Sequence, residues 1–215
     1  MATVAHAPPA VRSSSLRWSS YAQDALLVVL SAAFAWSHGR AFFAEHQLTS
    51  FPFAIEQSIL VGLFLFRRRS QYTSSRPGDW AVAAIGTWGT LTLRPIGNAA
   101  TPLEIAGICI QCLGVSLAAV SFMSLGRSVG VVAANRGLKT GGMYALVRHP
   151  IYTAHITTIS GFLLANPHPW NLAMAAVVFT GLFLRIEAEE RLLVQTDDYA
   201  SYRQRVPWRL FPKIY

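Results

Sequence analysis

The side chains best suited to chemistry lie in two short segments in the second half of the chain. The first reads YALVRHPIYTAH, from Tyr144 to His155, and the second reads RIEAEERLL, from Arg185 to Leu193. Both join ionisable residues to long apolar runs. An ionisable side chain at mid-bilayer costs about 2.5–3.5 kcal/mol on insertion scales, so it persists where it faces protein, water or a ligand. These two segments are therefore the candidate functional site.

The first segment predicts a helix that begins inside it. Tyr144, Arg148 and Tyr152 recur every four residues, but Pro150 removes an amide donor and disfavours the helical region for His149. Proline is favoured in the first turn of a helix, so we expect a helix to start near Pro150 with His149 in the entry turn. The exposed N–H groups and positive potential of such a helix end suit a carboxylate. The alternative is a juxtamembrane anchor that places Arg148 on lipid phosphates.

The second segment predicts an ion pair on one helix face. Arg185 and Glu189 are four residues apart and Glu190 lies one step further round. An ordinary Arg–Glu pair of this spacing contributes only a few tenths of a kcal/mol, about 0.2–0.5. Acidic residues near a helix C-terminus oppose its dipole, so Glu187 and its two neighbours require compensation. Continuation of the helix to about Thr196 would supply it, and so would a cationic ligand.

The rest of the chain predicts the helices that must position these residues. Of the 215 residues, 53% are hydrophobic and 13% are charged, whereas a soluble domain carries about 25% charged residues. The apolar runs are Ala25–His38, Phe53–Phe66, Trp80–Leu93, Pro102–Leu125, Ile151–Ala165 and Trp170–Leu184. A bilayer-spanning helix needs about 17–25 such residues. We therefore expect an all-α, polytopic integral membrane protein with five or six membrane helices. The last two runs form a tight hairpin that need not cross the bilayer fully.

The net charge of +8 reflects membrane topology rather than nucleic-acid binding. If the termini and alternate loops lie on one side, that side holds every Lys and Arg except Arg40 and Arg94. Short loops rich in Lys and Arg stay cytoplasmic. The pattern therefore predicts that both termini are cytoplasmic, in the inner membrane if the source is bacterial, and that nucleic acid is not a partner.

The chain divides into three predicted regions. Residues 1–20 form a flexible tail rich in Ala, Pro and Ser, residues 21–126 form transmembrane scaffold helices, and residues 127–215 carry the polar chemistry. Cys109 and Cys112 lie in an apolar helix and are interpreted as packing residues, since no α/β core accompanies them. No set of His, Cys and carboxylate residues has metal-site spacing, so no metal is expected.

The three motifs together resemble one known family. GGMYALVRHPIY, followed by RIEAEERLL and then YASYRQRVP, resembles the isoprenylcysteine carboxyl methyltransferases and, more widely, the membrane phospholipid methyltransferases. The resemblance covers roughly Ser124–Pro212. It implies an S-adenosyl-L-methionine-dependent methyltransferase whose cofactor pocket, facing the cytoplasm, lies between the C-terminal helical hairpin and the tail. The acceptor would be lipophilic or amphiphilic and reached through the bilayer.

The resemblance also implies roles for individual residues. Arg185 matches the family's substrate-side arginine, and Arg148 would be a second charge at the reaction centre. The implied cofactor-binding residues are Arg136, Gly137, Leu138, Lys139, Tyr144, His149, Pro150, Ile151, Tyr152, Glu189 and Glu190.

The acceptor chemistry stays open at this point. The resemblance favours carboxyl O-methylation of the isoprenylcysteine kind, with phospholipid or small-molecule N- or S-methylation as the alternative. A carboxylate acceptor needs an orienting cation and no base, whereas an amine or thiol must lose a proton, which His149 or His155 could assist. From another class, the alternative is a non-catalytic transporter or lipid-binding protein that would bind no cofactor.

Overall fold

The computed structural model describes residues 14–66, 72–73, 76–97, 99–126, 134–135, 138–194 and 197–215, and these are almost entirely helical. The helices are α1 Ser14–Glu45, α2 Phe51–Phe66, α3 Pro77–Trp88, α4 Thr101–Leu125, α5 Pro150–Ala165, α6 Pro169–Leu193 and α7 Asp197–Arg205. Within the described ranges, the sheet structure is limited to two-residue strands, β1 Tyr72–Thr73 and β2 Ala134–Asn135, which pair antiparallel. The all-α prediction is confirmed. The N-terminal helix begins at Ser14, so part of the predicted tail is helical.

Four segments of the described chain are long and apolar enough to cross a membrane. They are Asp24–Glu45, Leu48–Phe66, Thr101–Leu125 and Pro169–Leu193. Helices α3 and α5 have 12 and 16 residues. At 1.5 Å per residue α5 is about 24 Å long, less than the roughly 30 Å of a hydrocarbon core. The prediction of a polytopic membrane protein is confirmed. The predicted number of five or six membrane helices is reached only if one or both of the shorter helices α3 and α5 are added to the four candidate spans.

Proline sets the start of several helices, including the one that carries the site. It occupies the first turn of α3, α4, α5 and α6, where its fixed φ suits a helix and its missing amide hydrogen is not needed. As predicted, α5 begins at Pro150, with His149 as its non-helical N-cap. At the far end of α5 a short turn leads into α6, and the Asn171 side-chain amide donates to the carbonyl oxygens of Arg94 (2.8 Å) and Asn166 (3.0 Å). This amide fixes the hairpin at the end opposite the site.

Close packing of α4 against α5 depends on glycine. A β-carbon at Gly107 would lie 2.8 Å from the Ala165 backbone nitrogen, and one at Gly114 would lie 2.6 Å from that of Thr158. Small residues let helix backbones approach in this way inside membranes. The contact fixes α5, and therefore the candidate site at its N-terminal end, against α4, the most hydrophobic of the four candidate membrane spans.

Replacing Gly114 by alanine is expected to lower the free energy of unfolding by about 1–3 kcal/mol, because the added methyl group overlaps α5. Gly62→Ala is the matched control, since a β-carbon at Gly62 meets nothing within 4 Å. Alanine there should leave stability unchanged or raise it by up to about 1 kcal/mol. Unfolding of the purified proteins in detergent measures both. Equal stability of the two variants would contradict the packing described.

The C-terminal tail folds back onto the start of α5. The backbone N–H groups of Arg148 and His149 donate to the carbonyl oxygens of Trp208 and Arg209, both at 2.9 Å. The Thr153 hydroxyl donates to the Leu210 carbonyl at 2.7 Å. The tail therefore forms one wall of the region into which both candidate segments project.

Candidate functional site

A buried carboxylate, Glu190, organises the ionic residues where α5 begins and α6 leaves the apolar region. Arg148 Nε lies 2.9 Å from Glu190 Oε1, His149 Nε2 lies 3.1 Å from the same oxygen, and Arg209 Nη2 lies 2.9 Å from Oε2. Only 6% of the Glu190 side chain is exposed. A buried charge requires this degree of pairing, because removing it from water is costly. Glu190 therefore joins α6 to both α5 and the tail.

Arg148 completes this connection. Its Nη1 donates to the carbonyl oxygens of Val206 (2.9 Å) and Pro207 (2.6 Å), and only 5% of the residue is exposed. These contacts assign Arg148 to holding the tail, so the predicted second charge at the reaction centre finds no support in the geometry. Because the amides of Arg148 and His149 also bind tail carbonyls, the helix entry is less open to a ligand carboxylate than the sequence predicts.

Glu189, the neighbouring carboxylate, has a different environment. The Tyr152 hydroxyl donates to Glu189 Oε1 in a short hydrogen bond. Arg185 Nε lies 3.4 Å from the same oxygen, and His149 Nδ1 lies 3.9 Å from Oε2. The side chain of Glu189 is 23% exposed. It can therefore reach a ligand that the nearly inaccessible Glu190 cannot.

Arg185 lies on the apolar side of Glu189. Its Nη1 donates to Thr87 Oγ1 of α3 at 2.8 Å, and its guanidinium carbon lies 5.1 Å from the centre of the Tyr152 ring. Guanidinium groups stack favourably on aromatic faces in this range. The charge of Arg185 is thus held in place from two directions, with only 8% of the residue exposed. This fixed cation could orient an anionic or polar group that arrives from the membrane.

Two tyrosines, one before α5 and one on α7, lie beside the site. The Tyr202 hydroxyl donates to the Tyr144 carbonyl oxygen at 2.7 Å. Burial, followed by the negative charge of Glu189, raises the pKa of Tyr144 above its ordinary value. Burial likewise raises the pKa of Tyr202 to about 12. Both rings therefore stay neutral at physiological pH, and Tyr144 lies close enough to Glu189 to be affected by its charge.

The other predicted cofactor residues are placed less centrally. Leu138 packs against the tail cluster of Tyr199, Tyr202 and Val206, and Lys139 is exposed. Pro150 is buried at the start of α5. Ile151 packs against a buried cluster formed by residues of α1, α2, α3 and α4. Arg136 and Gly137 lie outside the described residues.

Arg209 and Thr87 also belong to the site, although neither was predicted from the sequence. Arg209 Nη1 donates to Glu187 Oε1 and to the Tyr215 hydroxyl, both at 2.6 Å. The three glutamates at the end of α6 require compensation, and cations from the tail, from the segment before α5 and from α6 itself supply it. That excess of carboxylates was the available signal for Arg209. No comparable pattern pointed to Thr87, which lies in an apolar helix almost a hundred residues from Arg185.

The comparison with known families supports the resemblance for part of the chain. Residues 103–197 match the phospholipid methyltransferase family. The match confirms the resemblance, because this family belongs to the group of membrane methyltransferases that includes the isoprenylcysteine carboxyl methyltransferase type. The segment of the chain that matches this methyltransferase family runs from α4 to the first residue of α7. It contains Arg148, His149, Arg185 and Glu189. No curated protein and no solved structure gives a significant match.

Proposed function

We propose that this integral membrane protein transfers a methyl group from S-adenosyl-L-methionine to a lipophilic or amphiphilic acceptor that reaches it through the bilayer. The observation that carries the proposal is the position of Glu189. It is a partly exposed carboxylate beside Tyr152, His149 and a fixed arginine, inside the segment that matches the methyltransferase family.

The residues around Glu189 fit such a methyl donor. A carboxylate can accept hydrogen bonds from an ammonium group or ribose hydroxyls, and tyrosine faces such as that of Tyr144 suit an adenine ring. His149 can face the donor's own carboxylate. The bound donor would supply an activated methyl group on a sulfonium. The protein binds it, orients it and keeps water away from it.

The reaction itself asks little acid–base chemistry of the protein. In an in-line methyl transfer the positive charge is neutralised, so positioning and exclusion of water supply much of the rate enhancement. Arg185 is suited to positioning, because it lies on the apolar side of Glu189 and is held by Thr87. In the isoprenylcysteine-type reading it would orient an acceptor carboxylate. In the phospholipid-type reading, which the matched family's name favours, it would contact the lipid phosphate.

Replacing Glu189 by glutamine is expected to weaken S-adenosylhomocysteine binding about 10- to 100-fold, because hydrogen bonds to a charged group contribute about 1.5–3 kcal/mol. Glu187→Gln on the same helix is the matched control, since its side chain is 47% exposed and pairs with Arg209 rather than with the site. Calorimetric titration of the detergent-purified proteins makes the comparison. Absence of binding by the wild type would favour a non-catalytic membrane protein. Unchanged affinity of the Glu189 variant would remove its assigned role.

We also propose that the site faces the cytoplasm. The N-terminal end of α5 and the C-terminal end of α6 meet at the site. The basic tail packs over both helix ends. A reporter protein that is active only in the cytoplasm should be active when it is fused after Tyr215, and a reporter that is active only after export should be inactive there. Activity of the second reporter would show that the site faces the opposite side of the membrane.

A further inference from the structure

A second polar group lies deeper in the helix bundle, between α2 and α5. His155 Nδ1 is 2.9 Å from Glu56 Oε1, and the two residues are 8% and 3% exposed. Each is the sixth residue of a 16-residue helix, so the pair lies well inside the apolar region. Ionisable groups at such positions are costly and mark functional sites by default.

Several buried polar atoms of α2, α4 and α5, two of them in this pair, lack a hydrogen-bond partner among the described residues. They include Glu56 Oε2, His155 Nε2 and both amide heavy atoms of Gln57 and Gln111. Gln57 and Gln111 are fully buried. Each such atom left unsatisfied costs about 1–3 kcal/mol by protein mutational data, and membrane interiors offer no bulk water to satisfy it. The helices therefore present polar atoms suited to a hydrogen-bonding group that the protein itself does not supply.

The pair adjoins the proposed methyl-transfer site on its apolar side. His155 follows Tyr152 by three residues on α5, a rise of about 4.5 Å, and Tyr152 binds Glu189. Phe53, one turn from Glu56 on α2, belongs to the same buried cluster as Tyr152 and Ile186. An acceptor that enters from the bilayer would thus meet the pair on the membrane side of Glu189.

The charges at the pair select the kind of acceptor. Helices α2, α4 and α5 contain no Lys or Arg, and Arg185 of α6 is held against Thr87 and Tyr152, so an acceptor carboxylate at the pair itself would face Glu56 without a cation from the helices that form the pair. A neutral or cationic acceptor group that carries a proton is not repelled by the Glu56 carboxylate. When the His155 Nδ1–H donates to Glu56, the Nε2 atom of the same ring has a free lone pair. The Nε2 atom of His149 is instead engaged by Glu190. Of these two histidines, His155 is the one suited to accept a proton.

We infer that Glu56 and His155 receive a hydroxyl, thiol or amine acceptor, and that His155 removes its proton. This inference rests on the proposed function. The acceptor's lone pair bonds to the methyl carbon, the carbon–sulfur bond breaks with its electrons staying on sulfur, and the acceptor proton passes to His155 Nε2. Glu56 is a positioning residue that keeps the imidazole in the required tautomer.

The chemistry of the product tests the inference without any variant. Wild-type protein is incubated with methyl-labelled S-adenosyl-L-methionine and a lipid extract from its source organism, and the lipid product is then treated with alkali. Ethers, thioethers and methylamines keep the label, as we expect, whereas a methyl ester releases it as methanol. Release as methanol overturns the inference and leaves the proposed function intact. Failure to bind S-adenosylhomocysteine together with absence of label contradicts the proposed function instead.

Substitution tests the role of His155 directly. His155→Gln should lower turnover about 10²–10⁴-fold, the usual contribution of a general base, while S-adenosylhomocysteine affinity stays unchanged. Glu56→Gln should lower kcat with little change in KM. His168→Gln, at the opposite end of α6 from Arg185, is the control and should be normal. Normal turnover of His155→Gln overturns the inference.

A spectroscopic measurement is independent of turnover. In histidine-labelled protein in nanodiscs, ¹⁵N resonances assigned by their loss in His155→Gln should report a protonated Nδ1 and an unprotonated Nε2. The opposite tautomer leaves no lone pair on Nε2 and overturns the inference even if no acceptor has been identified.

Discussion

Replacing Arg148 by alanine is expected to lower the free energy of unfolding by about 3–5 kcal/mol, the usual cost of removing one partner from a buried ion pair. The guanidinium bonds to Glu190 and to two tail carbonyls with only 5% of the residue exposed. Without it the tail should detach from α5. Thermal unfolding in detergent and protease sensitivity of residues 206–215 measure the two effects.

A surface arginine supplies the control for this prediction. Arg203 lies exposed on α7, and its replacement by alanine should change stability by less than about 0.5 kcal/mol. If Arg148→Ala were as stable and as protease-resistant as Arg203→Ala, the tail would not depend on the Glu190 network. A role for Arg148 at the reaction centre would then regain support.

Replacing Arg185 by alanine is expected to lower turnover about 10²–10³-fold, the usual effect of removing one preorganised electrostatic contact at a reaction centre. Arg185 lies over Tyr152 and is held by Thr87, so its charge is fixed where an acceptor from the membrane would arrive. S-adenosylhomocysteine affinity should fall less than about tenfold, because Glu189 keeps its bond from Tyr152. Initial rates with labelled donor and calorimetry separate the two quantities.

Two further variants sharpen this result. Arg185→Lys keeps the charge but loses the planar group that stacks on Tyr152, so it should recover only part of the activity. Arg191→Ala removes a half-exposed arginine further along α6 that pairs with Asp79, and it should stay close to wild type. Normal acceptor kinetics in Arg185→Ala would remove its substrate role.

The sequence was sufficient for the helices and for the start of α5. The apolar runs fall in helices because burial in lipid requires every backbone group to bond internally, and Pro150 marks a helix start by its own covalent structure. The return of the tail was not predictable. It depends on hydrogen bonds from Arg148, His149 and Thr153 to carbonyls about 60 residues later, and no local pattern encodes such pairings.

The candidate site could be predicted only in part. The spacing of Arg185 and Glu189 correctly placed them together, because residues four apart share a helix face. It could not separate Glu189 from Glu190. Neighbouring helix positions point about 100° apart, and here one carboxylate faces Tyr152 while the other lies buried among Arg148, His149 and Arg209. Which face meets the tail is decided by tertiary packing alone.

The most direct measurement of the central claim is an experimental structure of the protein with S-adenosylhomocysteine. We expect the ligand between Tyr144, His149 and Glu189, with a Glu189 oxygen within about 3.2 Å of a ligand nitrogen or hydroxyl and its sulfur facing Arg185. A ligand bound elsewhere, with Glu189 facing only protein and solvent, would contradict the account.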